Sequence, residues 1–172
     1  MRPINWPAVF EPFDECEPRP GLNPEYVPLV DRLVGEPLSK EEIAEIESRG
    51  LSDPNRWVIP SRPLPKSYLS FLAWSNGGIF IEGDREFAIL GAEELREYLL
   101  TYELPATMAG SVPFATDGHG GFYLIDMRNE ANEGGEHPIL HALVDRFTYD
   151  DAEIVATAFP ELFLPTLLAC EV

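Results

Sequence analysis

Apolar and polar positions follow a helical period most clearly over residues 64–78, Leu-Pro-Lys-Ser-Tyr-Leu-Ser-Phe-Leu-Ala-Trp-Ser-Asn-Gly-Gly. Leu64, Tyr68, Phe71, Leu72 and Ser75 fall at i, i+4, i+7, i+8 and i+11, which puts one stripe on one face of a helix. Pro65 suits the first helical position, where the missing N–H costs nothing. Asn76-Gly77-Gly78 can take positive φ and stop the helix. Ile79-Phe80-Ile81 then reads as a buried strand.

The same reading extends along the chain. Asn23-Pro24 opens a short helix that runs to Val34 and stops at Gly35. Ser39-Lys40-Glu41-Glu42 is a capping-box pattern, Ser39 at the N-cap and Glu42 at N3. The helix it opens turns Ile43 and Ile46 inward and Glu41, Glu45 and Glu47 outward, and Gly50 ends it. Residues 51–63 hold Pro54, Pro60 and Pro63 and form a loop, with Trp57-Val58-Ile59 as a short edge strand or a packed plug. Ile79-Phe80-Ile81 and Phe87-Ala88-Ile89-Leu90 flank a polar, Gly-containing connection, as in a hairpin. Residues 92–100 form a helix with Leu95, Tyr98 and Leu99 on one side. Strands are predicted near 111–115, 122–126 and 139–144, and Asp150 or Asp151 caps a last helix that turns Ile154, Val155 and Ala158 inward. Pro160 and Pro165 interrupt regular structure beyond it. The polar stretch 129–136 is expected to be a mobile loop. Helices grouped with a run of strands make an α+β domain. Its core is expected to hold Leu64, Tyr68, Phe71, Leu72, Ile79, Ile81, Phe87, Ile89, Leu95, Tyr123 and Ile125.

Residues 1–23 carry Pro3, Pro7, Pro12, Pro18 and Pro20, which exclude regular helix from most of the stretch. Trp6, Val9, Phe10 and Phe13 are too apolar for a disordered tail. The segment reads as an extended arm packed on the domain or on a partner, with 24–172 as the single domain.

A second motif lies at Val112-Pro113-Phe114-Ala115-Thr116-Asp117-Gly118-His119-Gly120-Gly121-Phe122-Tyr123-Leu124-Ile125-Asp126. It resembles the strand, glycine-rich turn and strand of the SUKH superfamily, with Gly118, Gly121 and the closing Asp126 at the matching places. The earlier stretch resembles that family's signature: Leu64-Pro65, the aromatics Tyr68 and Phe71, then Asn76-Gly77-Gly78 before the first strand. The resemblance is strongest over 38–160, and the long 51–63 loop departs from the pattern. It implies helices packed against an antiparallel sheet. It also implies a non-catalytic protein-binding domain without a cofactor. In a bacterium the resemblance implies an immunity protein that occludes a cognate toxin, often a nuclease; the alternative it implies is a Smi/Knr-like regulator of cell-wall or glucan synthesis.

Charge sharpens the choice of partner. The 172 residues carry 30 acidic and 12 basic side chains, a net charge of −18. Such a field repels nucleic acid and anionic membrane and attracts basic proteins, such as a toxin domain, although it also serves solubility alone. No window approaches the ~18 apolar residues of a membrane span. The first residues lack the charged and apolar regions of a secretory signal, so the chain is expected to stay in the cytoplasm. Cys16 and Cys170 have neither zinc-site spacing nor, in a reducing compartment, reason to pair.

Candidate chemistry is sparse. Asp117-Gly118-His119-Gly120-Gly121 lacks the strand–loop–helix order of a dinucleotide site and reads as a turn with His119 exposed at its tip. His137 and His141 are four apart, but on a strand that spacing is ~13 Å, too far for one ion. They read as surface histidines. No Gly-x-Ser-x-Gly elbow is present, and an enzyme on this scaffold is the remote alternative. Tyr68 is expected in the core with its hydroxyl satisfied at the edge. Trp74, about 60° from Phe71 around the helix, either covers the core margin or anchors a partner. The partner-contact candidates are Glu41, Glu45, Trp74, His119, Glu130, Glu133 and Glu136.

Overall fold

The predicted signature helix forms, and what caps it comes from far along the chain. A computed structural model describes residues 3–164. Helix α4 spans Lys66–Trp74, with Pro65 at the N-cap rather than inside the first turn. Proline has no side-chain acceptor to offer there. Glu136 supplies one instead, accepting from the Ser67 amide (3.1 Å) and the Ser67 hydroxyl (2.6 Å). Leu64, Tyr68, Phe71, Leu72 and Ser75 are all buried, as the stripe predicts. Tyr68 departs from expectation in one respect. It is enclosed by Phe114 and Phe159, so its hydroxyl has no partner among the described residues, and burial pushes its pKa far above the ordinary value.

The helix ends as its sequence demands. Gly77 (φ 87°) and Gly78 (φ 141°) both have positive φ. A Cβ on Gly77 would lie 2.6 Å from the Ile89 carbonyl oxygen, and one on Gly78 2.5 Å from that of Glu17. Only glycine lets the chain reverse there between two neighbouring strands.

Among the described residues seven strands form one antiparallel sheet in chain order. They are β1 (Glu15–Pro18), β2 (Gly78–Glu82), β3 (Arg85–Ile89), β4 (Ser111–Thr116), β5 (Gly121–Asp126), β6 (Ile139–Leu143) and β7 (Glu153–Ala156). Helices α5 (Ala92–Thr101) and α6 (Leu104–Thr107) connect β3 to β4. The fold is therefore α+β, as expected. Both faces are covered at its centre. Phe122 and Tyr123 are neighbours on β5 and send their rings to opposite sides: Phe122 meets Tyr102 and Phe147, and Tyr123 meets Phe87 and Phe114.

The pleat of β2 is the reverse of the one predicted. Phe80 is buried, Ile79 is 39% exposed and Ile81 is only half-buried. A strand can turn only alternate residues inward, and here the larger ring takes the inside, 4.2 Å from Phe10 between centroids. The last helix is also absent. Residues 153–156 form edge strand β7, with Ile154 and Val155 exposed. The β-branched pair favours strand, and Asp151 accepts from the Thr148 hydroxyl in a turn (2.7 Å) rather than capping a helix.

The first residues are more regular than their prolines suggest. Trp6–Phe10 form the short helix α1, with Pro7 in the first turn and the Asn5 side chain accepting from the Ala8 amide. Trp6 and Phe10 are buried against Phe71, and β1 pairs with β2. Ser75, the polar member of the stripe, accepts from the Arg19 amide at 3.0 Å. In the next segment only Val30–Gly35 is α-helical (α2), preceded by a tighter turn over Val27–Leu29. Pro28 restricts the residue before it and so shortens the helix. Helix α3 (Lys40–Arg49) has the full capping box and a left-handed Gly50. Trp57-Val58-Ile59 forms no strand; Trp57 is half-buried and donates to the Ser52 hydroxyl (3.0 Å), while Val58 is exposed. Pro165 and Cys170 lie outside the described residues.

Candidate functional site

The β2–β3 hairpin, the β4–β5 turn and the edge strand β7 meet around a cleft of about 540 Å³. Its floor is apolar, with Phe87, Tyr123 and Leu162. Its rim is charged, with Asp84, Arg85, Glu86, Asp117, His119, His141 and Glu161. The sheet register explains the grouping. Ala88 pairs with Thr116 on β4, so Glu86 lies across from Gly118. A Cβ on Gly118 would come 2.5 Å from the Glu86 carboxylate, and Gly118 also has φ 73°.

Asp117 organises the turn. One oxygen accepts from the amides of His119 and Gly121, each at 2.8 Å, and the other meets His141 Nε2 at 2.8 Å. Burial pushes the Asp117 carboxyl up, but the two amides and the imidazole outweigh it and hold it below the usual carboxylate range. Arg85 is engaged by Glu82 and donates to the Leu162 carbonyl. Glu161 accepts from the Thr157 amide. The side chains of Asp84 and Glu86 make no hydrogen bond or ion pair among the described residues. Among the described residues the lining contains no serine, threonine or cysteine, and the described residues hold no group of three or more metal-ligating side chains. The arrangement ties the Asp117 carboxylate to His141 and leaves the cleft able to receive positive charge.

The sequence-predicted contact residues do not converge. Glu41 and Glu45 are exposed on α3, and Glu45 pairs with Arg49 within the helix. Helix α3 docks on α5 through Arg96, which donates to both oxygens of Glu42 (2.8 Å each). Glu130 and Glu133 are exposed, Glu130 lying 3.9 Å from Arg62. Glu136 is buried, a correction to its place among partner contacts. It is spent on the start of α4, and the 129–136 loop is pinned there, with Asn132 accepting from the Gly134 and Glu136 amides. Trp74 covers the core margin, stacked on Phe10 at 5.6 Å. His119 is exposed at the turn tip, as expected.

The signature residues have structural roles. Asn76 accepts from the Ala92 amide at the start of α5 (2.8 Å). Asp126 is buried and binds Arg128 at 2.8 Å, and the Arg128 guanidinium lies 3.5 Å above the Tyr149 ring. His137 is buried rather than superficial, and burial lowers its pKa. His141 does not act with His137; it acts with Asp117. The pairing is out of reach of spacing alone because it needs the β5–β6 register. Asp84 and Glu86 join the site through the β3–β4 register and Tyr123 through its place opposite His141, and their only sequence signal is nearness to a hairpin turn.

The model of the SMI1 / KNR4 family (SUKH-1) matches residues 37–164, which include both motifs and most of the chain. A comparison with curated proteins gives no match. No helix among the described residues is long and apolar enough to cross a membrane. The chain belongs to the SMI1 / KNR4 family.

Proposed function

We propose that this SMI1 / KNR4 family member is a non-catalytic domain that binds a basic protein, and that it serves as an immunity protein against a toxin. The observation that carries the reading is the excess of 30 acidic over 12 basic residues. Exposed carboxylates on α3, at the β2–β3 turn and in the 129–136 loop spread that charge over several faces. Such a field speeds encounter with a positive partner, while a smaller contact sets how long the complex lasts.

The test is stopped-flow association with a toxin domain captured by the tagged protein from its own cells. The Debye length falls from ~30 Å at 0.01 M salt to ~8 Å near physiological salt. Across that range association is expected to slow by about tenfold or more, with dissociation little changed. An on-rate indifferent to salt overturns the electrostatic mechanism. A captured partner that belongs to glucan or cell-wall synthesis moves the protein to the regulatory role.

A further inference from the structure

We infer that the cleft between the β2–β3 hairpin, the β4–β5 turn and β7 receives an arginine side chain of the basic partner. The inference rests on the partner reading above and gives it a place. Two independent observations support it.

The first is charge left unspent in a shaped site. Among the described residues, four carboxylates line the cleft against one arginine. Arg85 is already neutralised by Glu82 and tied to the Leu162 carbonyl. Asp117 is satisfied by two amides and His141, and Glu161 by the Thr157 amide. Asp84 and Glu86 remain. Glu86 is half-buried and rests against Gly118, where any side chain would displace it. A glycine is thus used to seat a carboxylate that has no partner among the described residues.

The second is Tyr123. It is 9% exposed and lines the cleft, and its hydroxyl has no hydrogen-bond partner among the described residues. The hydroxyl is not among the sealed-off polar atoms, so its oxygen can accept from a donor that enters the cleft. Guanidinium fits both features. It donates to a carboxylate in a planar fork, carries further N–H groups for a phenolic oxygen, and packs its flat face on aromatic rings. Tyr123, backed by the buried Phe87 ring 5.1 Å away between centroids, offers the accessible edge of such a surface. The cleft already shows the preference, because the Arg85 guanidinium lies 5.4 Å from the Phe87 ring centre. An ammonium would satisfy the charge but not the plane.

The experiment is a nitrogen-15 NMR titration of the full chain with a tetra-arginine peptide, with tetra-lysine and tetra-glutamate beside it. Tetra-arginine is expected to shift the amides of residues 84–87 and 117–121 in a saturable way. Tetra-lysine is expected to bind about tenfold more weakly, and tetra-glutamate not at all. The double substitution Asp84→Asn, Glu86→Gln is expected to weaken tetra-arginine binding by about tenfold, while Glu41→Gln, Glu45→Gln leaves it within about twofold. Shifts spread evenly over the acidic surface, or equal binding of the lysine peptide, overturn the assignment. With the captured partner the two ideas separate. Salt-dependent association that ignores the Asp84, Glu86 substitutions overturns the cleft and leaves the partner reading standing. Association lost with those substitutions but present with the α3 pair supports both.

Discussion

His141 Nε2 lies 2.8 Å from Asp117 Oδ2, and Gly121 is the residue that lets them meet. A Cβ on Gly121 would collide with the Asp117 carboxylate and the His141 ring together. The glycine-rich turn is thus more than a place where the chain bends. Gly118 makes room for Glu86, and Gly121 makes room for the Asp117–His141 pair. The cleft exists because two side chains are missing.

That relation predicts a coupled pair of substitutions. Gly121→Ala is expected to destabilise the domain, because the new methyl group meets Asp117 and His141 and neither can retreat cheaply. Asp117→Ala removes part of the obstacle along with its hydrogen bonds. The double variant is therefore expected to be more stable than the two losses summed, by about 0.5–3 kcal/mol. Urea unfolding of the four proteins measures it. Strict additivity would show that Gly121 does not serve the pair.

Glu136 gives a sharper contrast with its neighbour Glu133. Glu136 is buried and accepts from both the amide and the hydroxyl of Ser67, while Glu133 is exposed. Glu136→Ala is expected to cost about 1–3 kcal/mol, the penalty of leaving buried donors unpaired. Glu133→Ala is expected to stay within about 0.5 kcal/mol. Thermal melts of the two variants decide it. Equal melting temperatures would remove Glu136 from its place at the head of α4.

Local signals are legible in the sequence, and distant pairings are not. The stripe from Leu64 to Ser75, the Ser39–Glu42 capping box and the positive φ at Gly77 and Gly78 depend on neighbours a few residues apart, and all are present. The inward face of β2 is ambiguous because Ile79, Phe80 and Ile81 are all apolar, so alternation alone cannot choose a side. Residues 153–156 read as a helix because Asp150 and Asp151 resemble a cap, and only pairing with β6 decides otherwise. Glu136 groups with the exposed acids in the sequence because its partner Ser67 is far away along the chain. In the cleft, His119 and the glycines are visible, but Glu86, Tyr123 and the Asp117–His141 pair depend on register across several strands.

The final prediction concerns pH and the joint between α3 and α5. Hydrogen bonding to Arg96 lowers the Glu42 pKa from an ordinary 4.5 to about 2, against the opposing effect of burial. A carboxylate with a depressed folded pKa contributes stability that is present in full above its unfolded pKa. That contribution drains away as pH falls through the window down to the folded value. Glu42→Gln is therefore expected to destabilise the protein at neutral pH, and the gap to wild type should narrow steadily from about pH 5 to about pH 3. Asp117 and Asp126 are also held below the usual range, so both proteins weaken in acid and only the difference isolates Glu42. His137 acts in a higher window. Burial lowers its pKa from 6.5, so the folded state prefers it neutral, and stability begins to fall as pH drops below that value. Glu42→Gln leaves this earlier loss intact. Urea unfolding at about pH 7, 5 and 3 tracks both windows. A gap between wild type and Glu42→Gln that is as large at the lowest pH as at the highest would show that the Glu42–Arg96 contact does not hold α3 to α5.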